Sequence, residues 1–329
     1  RGLENGDFMK KIGVFFVLVS FLLTGCMGNN YAQIPPKTPF ISSVNLKDGT
    51  ISFINGHSME VFAEWEIDEL FTGALLLPDQ DHIAIYGKKM TTVQIYSLSK
   101  GKLVDEWEIG NGIVSIELIN DSKELALIDQ NADAIHVFSI DGTKLRTKKV
   151  GKNPISLYED EATQHLYVVN FNDGKVSVLN SYSLELVDEI QINPFSTSII
   201  VRSKEEQLWV GGHGEGEVVE ENVHIYSLQT GELLESLRAP NMPIKLLSDH
   251  NQVFIVSHGS NKLYKFDVTK NDMQSLEVGI NPFEIEKFQD YIVVAAYDSN
   301  EIYLIQPENF TKKNKIKVGS GPFQIIVRE

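Results

Sequence analysis

The chain has 329 residues, with 29 Lys and Arg against 45 Asp and Glu, a formal net charge of −16. That balance argues against nucleic acid as a partner, because such binding rests on neutralising phosphates with basic side chains; it favours cationic peptides, proteins or metal ions instead. A single cysteine, Cys26, excludes a disulfide framework and any cysteine-built metal site.

Met9-Lys10-Lys11 and the apolar run 12–23 have the charged start and short apolar core of a secretory signal. The run falls well short of the ~20 residues a membrane-spanning helix needs. Residues 1–8 share none of the signal's character, so Met9 is the expected initiator and 1–25 the expected signal segment. Leu23-Thr24-Gly25-Cys26 is similar to a bacterial lipobox. Small Thr24 and Gly25 suit a narrow peptidase site, and the Cys26 thiol is placed to accept a diacylglycerol. Removing residues 1–25 leaves a net charge of −17. Residues 26–38, with their Gly, Asn and Pro, read as the lipidated cysteine and a flexible tether. Two or more acyl chains hold a protein stably on a bilayer. The expected location is therefore the cell membrane, lipid-anchored and facing the extracytoplasmic side. Met27 stands where an inner-membrane retention aspartate would stand, which favours a monoderm surface.

From residue 39 to 329 a unit recurs about every forty residues. The copy at 150–192 runs Gly-x-Asn-Pro, an apolar strand, Leu166-Tyr167-Val168-Val169-Asn170, Asp173-Gly174-Lys175-Val176-Ser177-Val178-Leu179, and a last strand over 186–192. Four short strands at this period are the pattern of a propeller blade. The prolines at 154, 194, 243, 282 and 322 mark repeat starts separated by 40, 49, 39 and 40 residues, so one blade carries an insertion. Residues 71–109 and 114–150 supply two more blades with degenerate starts. The chain enters mid-repeat at Phe40 and ends at 318–327 with an innermost strand alone. Joining these ends completes a blade and removes two exposed sheet edges. The expectation is an all-β, seven-bladed β-propeller closed by pairing the C-terminal strand with the N-terminal blade.

The Tyr-Val-Val-Asn, Asp-Gly-Lys-Val-Ser-Val-Leu and Val-Gly-x-Asn-Pro elements resemble the YVTN-repeat β-propeller family of extracytoplasmic proteins, here in a bacterial lipoprotein form. The resemblance covers roughly residues 38–329 and is weakest at Ile85-Tyr86-Gly87 and Leu127-Ile128-Asp129. It implies fold and compartment more than chemistry.

Propeller ligands sit at the mouth of the central channel, where the residue after each Tyr-Val-Val-Asn position points. Those residues are Leu46, Lys88, Gln130, Phe171, His213, His258 and Tyr297, so adjacent blades contribute two aromatics and two imidazoles. Phe171, His213, His258 and Tyr297 are the expected ligand-binding set, suited to stacking on a sugar or gripping a peptide side chain. Phe195, Phe283 and Phe323 follow repeat-start prolines and read as wedges between blades. The insertion, residues 213–222, holds four carboxylates, His213 and two glycines. It reads as a solvated acidic loop, or else as a site for a divalent cation such as Ca²⁺ with Glu215, Glu217 and His213 as ligands and His258 reaching over. The remaining histidines and the turn residues Asp48, Asp141 and Asp173 read as structural.

No metalloprotease, haem-attachment, nucleophile-elbow or phosphate-loop motif occurs. The expected function is a non-enzymatic binding or interaction scaffold for an extracytoplasmic protein, peptide or glycan, without a cofactor. The alternative is a metal-dependent, lactonase-like propeller hydrolase at the channel mouth.

Overall fold

Alternating and apolar runs of six or seven residues, each closed by a turn residue, form sheets rather than helices because their period is two. In the computed structural model these runs are strands β1–β30. The structure describes residues 30–329. The signal segment and Cys26 lie outside the described residues. Among the described residues, no helix is long and apolar enough to cross a membrane.

Seven four-stranded antiparallel sheets follow one another around the ring. Blade 1 contains β1 (Phe40–Asn45), β2 (Thr50–Asn55) and β3 (Val61–Glu66). Its innermost strand is β30 (Pro322–Arg328), giving the order β3-β2-β1-β30. Phe40 pairs with Arg328 and Val44 with Gln324, so the two ends of the chain meet in one sheet as expected. Blades 2 to 7 begin with inner strands β4 (Gly73–Leu76), β8 (Ile113–Ile119), β12 (Pro154–Asp160), β16 (Ser196–Arg202), β22 (Pro243–Asp249) and β26 (Pro282–Phe288). The expected insertion is a hairpin, β18 (Gly214–Glu215) with β19 (Val218–Val219), standing in blade 5.

The repeat motif has a backbone cause. The residue before six of the seven inner strands, all but that of blade 2, has positive φ, as at Asn153 (53°), Asn281 (50°) and Gly321 (71°). Asn and Gly tolerate that conformation better than other residues. A Cβ on Gly321 would also meet Lys47 Cγ at 2.7 Å. Blade 5 corrects the proline alignment. Ser196, not Pro194, pairs at the strand-start position, opposite Gly212 as Pro154 is opposite Asn170. Phe195 occupies the positive-φ position at 60°. It is therefore two residues out of step with Phe283 and Phe323, which sit inside their inner strands. Ser196 Oγ donates to Asn193 O at 2.7 Å and fixes this start.

The cores lie between blades, where alternate residues of neighbouring sheets interdigitate. Val169, Val176 and Val210 pack in one such layer, Ile255, Trp209 and Leu246 in the next. A second departure concerns the tether. From Tyr31 onward the segment packs on the ring: Ile34 is fully buried, Tyr31 stacks on Trp65 at 5.0 Å, and Trp65 Nε1 donates to Ala32 O at 2.9 Å. Two large apolar side chains and a cluster of backbone acceptors make this stretch part of the domain rather than a free linker. Arg328, at the end of β30, donates from Nη2 to Pro35 O at 2.6 Å, from Nε to Thr38 O at 3.0 Å and from Nη1 to Gln80 O at 2.9 Å. One buried guanidinium thus ties the segment after Tyr31, the closing strand and blade 2. Arg328→Ala is expected to lower the unfolding free energy by about 3 kcal/mol, read by chemical denaturation, since it strands buried carbonyls. An unchanged midpoint and slope would show that closure does not depend on this clasp.

Candidate functional site

The inner strands begin on one face of the ring, here the upper face, and the second strands end there. In six of the seven blades the residue after the second strand donates its backbone N–H to the loop leading into the inner strand of its own blade. Phe171 N bonds Asn153 O at 3.1 Å, His213 N bonds Phe195 O at 3.0 Å, His258 N bonds Met242 O at 3.0 Å, and Tyr297 N bonds Asn281 O at 2.9 Å. The four expected ligand-binding residues therefore occupy equivalent, hydrogen-bonded positions around the channel mouth.

Their side chains divide into two groups. His258 meets Phe283 edge-on at 5.3 Å; Phe283 lies 6.0 Å from Tyr297 and 4.6 Å from Phe323. These four rings, contributed by blades 6, 7 and 1, form a half-buried collar. Phe171 instead meets Phe195 edge-on at 5.1 Å, across blades 4 and 5. His213 is exposed between the two groups. Burial, opposed by the Pro282 carbonyl and reinforced by His213, lowers the pKa of His258. Lys47 stands 4.6 Å over the Tyr297 ring and 2.6 Å from Asp298, closing the collar on the blade 1 side.

The insertion does not gather its carboxylates. Glu215 and Glu217 are exposed on the hairpin. Glu220 is turned away to His224, with Oε1 at 3.2 Å from Nε2, and caps the N–H groups of Glu221 and Asn222 at 3.0 Å. Burial would raise its pKa, but the hydrogen bonds from His224 and Asn222 outweigh burial and hold it at about 2. Glu221 pairs with Arg238 at 3.1 Å. Among the described residues, no group of three or more His, Cys, Asp or Glu is placed to hold a metal ion.

The channel below the mouth carries charges that the repeat motifs do not signal. Six of the seven inner strands, all but that of blade 2, have a bulge at the second residue, as between Pro282 and Glu284 or Pro243 and Lys245. The bulge aims the following position inward. Lys245 Nζ and Glu284 Oε2 form an ion pair at 2.9 Å between blades 6 and 7. Their side chains retain 41% and 13% exposure, so the pair stands in an open channel and not in a sealed core. Glu117 of blade 3 accepts from Ser115 Oγ at 3.1 Å, and from across the ring it is acted on by the charges of Lys245 and Glu284. Enclosure raises the pKa of Glu117, against the pull of Lys245 and Ser115. Enclosure, reinforced by Glu284, pushes Glu286 up to about 7. For Lys245, burial acts downward, but Glu284 outweighs it and the net shift is upward. The available signal was the charge itself: Glu117, Lys245, Glu284 and Glu286 interrupt otherwise apolar strands.

A second concavity, of ≈ 520 Å³, lies on the lower face between blades 6 and 7. Its charges are largely satisfied internally, Lys287 with Asp249 at 2.7 Å and Lys270 with Asp267 at 2.7 Å.

The fold places the chain in the class of seven-bladed β-propellers. No family profile matches it, the YVTN-repeat family included, and no curated protein matches it either. It is similar to hydrazine synthase of Kuenenia stuttgartiensis at 14% identity and TM-score 0.70, over 87% of this chain and 99% of that one. It is also similar to a functionally unknown protein from Desulfotomaculum acetoxidans at 12% identity and TM-score 0.68, over 88% and 98%. Apo AztD from Citrobacter koseri shares 12% identity at TM-score 0.58, over 88% and 97%. At these identities the likeness is one of fold.

The native Glu286 carboxyl binds its proton more tightly than the unfolded one, whose ordinary value is 4.5. Protonation therefore favours the folded state, and this contribution is lost as pH rises towards about 7. Glu286→Gln is expected to add on the order of 2 kcal/mol to the unfolding free energy at about pH 8, and close to nothing at about pH 4. Parallel denaturation curves at the two pH values check this; equal effects at both would place Glu286 in ordinary solvent.

Proposed function

We propose that this chain is a non-enzymatic binding module whose upper channel mouth recognises a protein, peptide or glycan. The observation that carries this reading is the collar of His258, Phe283, Tyr297 and Phe323, four contacting rings left half-exposed at the open end of the channel. Rings satisfied purely by packing would be buried, as Trp65 and Trp209 are. Aromatic faces held by backbone hydrogen bonds offer contact area at little entropic cost. Phe171 and His213 extend the same rim through blades 4 and 5.

The lipobox-like Cys26 adds a placement to this reading. The first described residues bond to the lower side of blade 2, Tyr31 N to Gly101 O at 2.7 Å. A lipid anchor a few residues earlier would hold the lower side towards the membrane and present the mouth to the extracytoplasmic medium. The protein is then a tethered receptor or docking platform. Metabolic labelling with a radioactive fatty acid tests the anchor: Cys26→Ser should abolish incorporation and release the protein into the medium, while label retained by that variant would remove the anchor.

Replacing Phe171, His213, His258 and Tyr297 together by alanine should leave the strand content and cooperative unfolding in place and remove binding to an array of peptides and glycans. Binding that survives in a folded quartet variant would move recognition away from the mouth.

A further inference from the structure

The collar and the channel charges are consecutive on the same strands. Phe283 is followed by Glu284 and, two residues on, Glu286; Phe323 is followed by Gln324. At ~3.3 Å per residue, Glu284 and Glu286 stand roughly 3 and 10 Å below the ring of Phe283. Glu117 faces them from blade 3, within electrostatic reach of both Lys245 and Glu284. Three carboxylates thus share one ammonium. Lys245 is committed to Glu284, while Glu117 is held by the Ser115 hydroxyl and Glu286 by the Lys287 N–H at 3.0 Å. Neither of these two makes a salt bridge to a lysine or arginine among the described residues. The mouth is therefore aromatic at its rim and under-compensated in positive charge at its floor.

We propose that this mouth receives a basic side chain, lysine or arginine, of a partner polypeptide. Its aliphatic stem lies against Phe283, Tyr297 and Phe323, and its cationic head enters among Glu117, Glu284 and Glu286. The proposal rests on the collar being the recognition site. Charge complementarity selects the occupant: an extended basic side chain is long enough to pass the rim and carries the charge the floor lacks. A neutral sugar would stack on the rim and leave the floor unanswered. An acidic peptide would meet like charge. The chain already uses the same chemistry internally, where Lys47 lies over Tyr297 and pairs with Asp298 at 2.6 Å. The net charge of −16 steers basic partners towards it.

Calorimetric titration of the full chain with capped tripeptides bearing central Lys, Arg, norleucine or Glu tests the proposal, with spermidine and maltotetraose alongside. Lys and Arg peptides should bind at least about tenfold more tightly than norleucine, and the Glu peptide not at all. The Glu117→Gln/Glu286→Gln double variant should bring Lys and Arg down to the norleucine level, with norleucine binding unchanged. Lys245→Met, which deepens the negative field, should tighten the basic peptides; the two opposite shifts together exclude simple misfolding. Equal binding of Lys and norleucine, retained Lys affinity in the double variant, preference for spermidine or maltotetraose, or no peptide binding at about 1 mM would each overturn it. The collar reading fails separately: Phe283→Ala/Tyr297→Ala should remove norleucine binding too, and if that binding persists the mouth is not the recognition site.

Discussion

The structure depends on one pairing, β30 against β1. A ring of sheets packed face to face stays a ring only when its first and last blades are held together, and here that bond is a strand ladder from Phe40–Arg328 to Val44–Gln324. Without it β1 would present a line of unpaired backbone groups to solvent, an edge prone to pair with another chain. The same pairing carries Phe323 to the mouth beside Phe283, and Arg328 to the lower side beside Pro35. Closure, collar and the docking of the N-terminal segment are therefore three consequences of one strand.

The channel follows from the same geometry. Each inner strand contributes its edge to a shared axis, and in every blade but blade 2 the bulge at its second residue turns the next side chain towards that axis. In most blades that residue is small or neutral: Ser115, Ser156, Ser198, Gln324. In blades 6 and 7 it is Lys245 and Glu284, and Glu117 of blade 3 faces them from across the ring. Seven nearly equivalent blades make a symmetric scaffold; a few non-equivalent side chains make it a directional one. The carboxylates are held by enclosure and mutual repulsion in a state that an incoming cation relieves.

The fold was legible because its signals are local and repeated. Turn residues such as Asp173-Gly174, positive-φ positions filled by Asn153, Asn281 and Gly321, and strand runs of period two recur often enough to identify blades individually. Even closure could be read, because three strands at one end and one at the other complete a blade. Legibility failed where one residue type serves two purposes. Pro194 looked like a strand start but belongs to the preceding loop, since Ser196 holds the register. The prolines and polar residues of the presumed tether concealed Tyr31 and Ile34, whose burial depends on Trp65 and Leu98, more than thirty residues away. The four expected mouth residues could be placed from the repeat, but not their division into two groups, which depends on contacts between blades. The channel charges were visible as residues and not as a cluster, because Glu117 and Lys245 come within electrostatic reach of each other only across the closed ring.

Hydrogen–deuterium exchange of the full chain, followed on peptides covering β1 and β30, tests most directly whether closure by this pairing governs the whole. The amides of Phe40–Asn45 and of residues 323–328 should exchange as slowly as those of β27 (Tyr291–Ala296), a second strand inside blade 7. All three should speed up together only as the domain unfolds. Faster, independent exchange of β1 and β30 would mean that blade 1 opens while the other six persist, and that the ring does not depend on its closing strand.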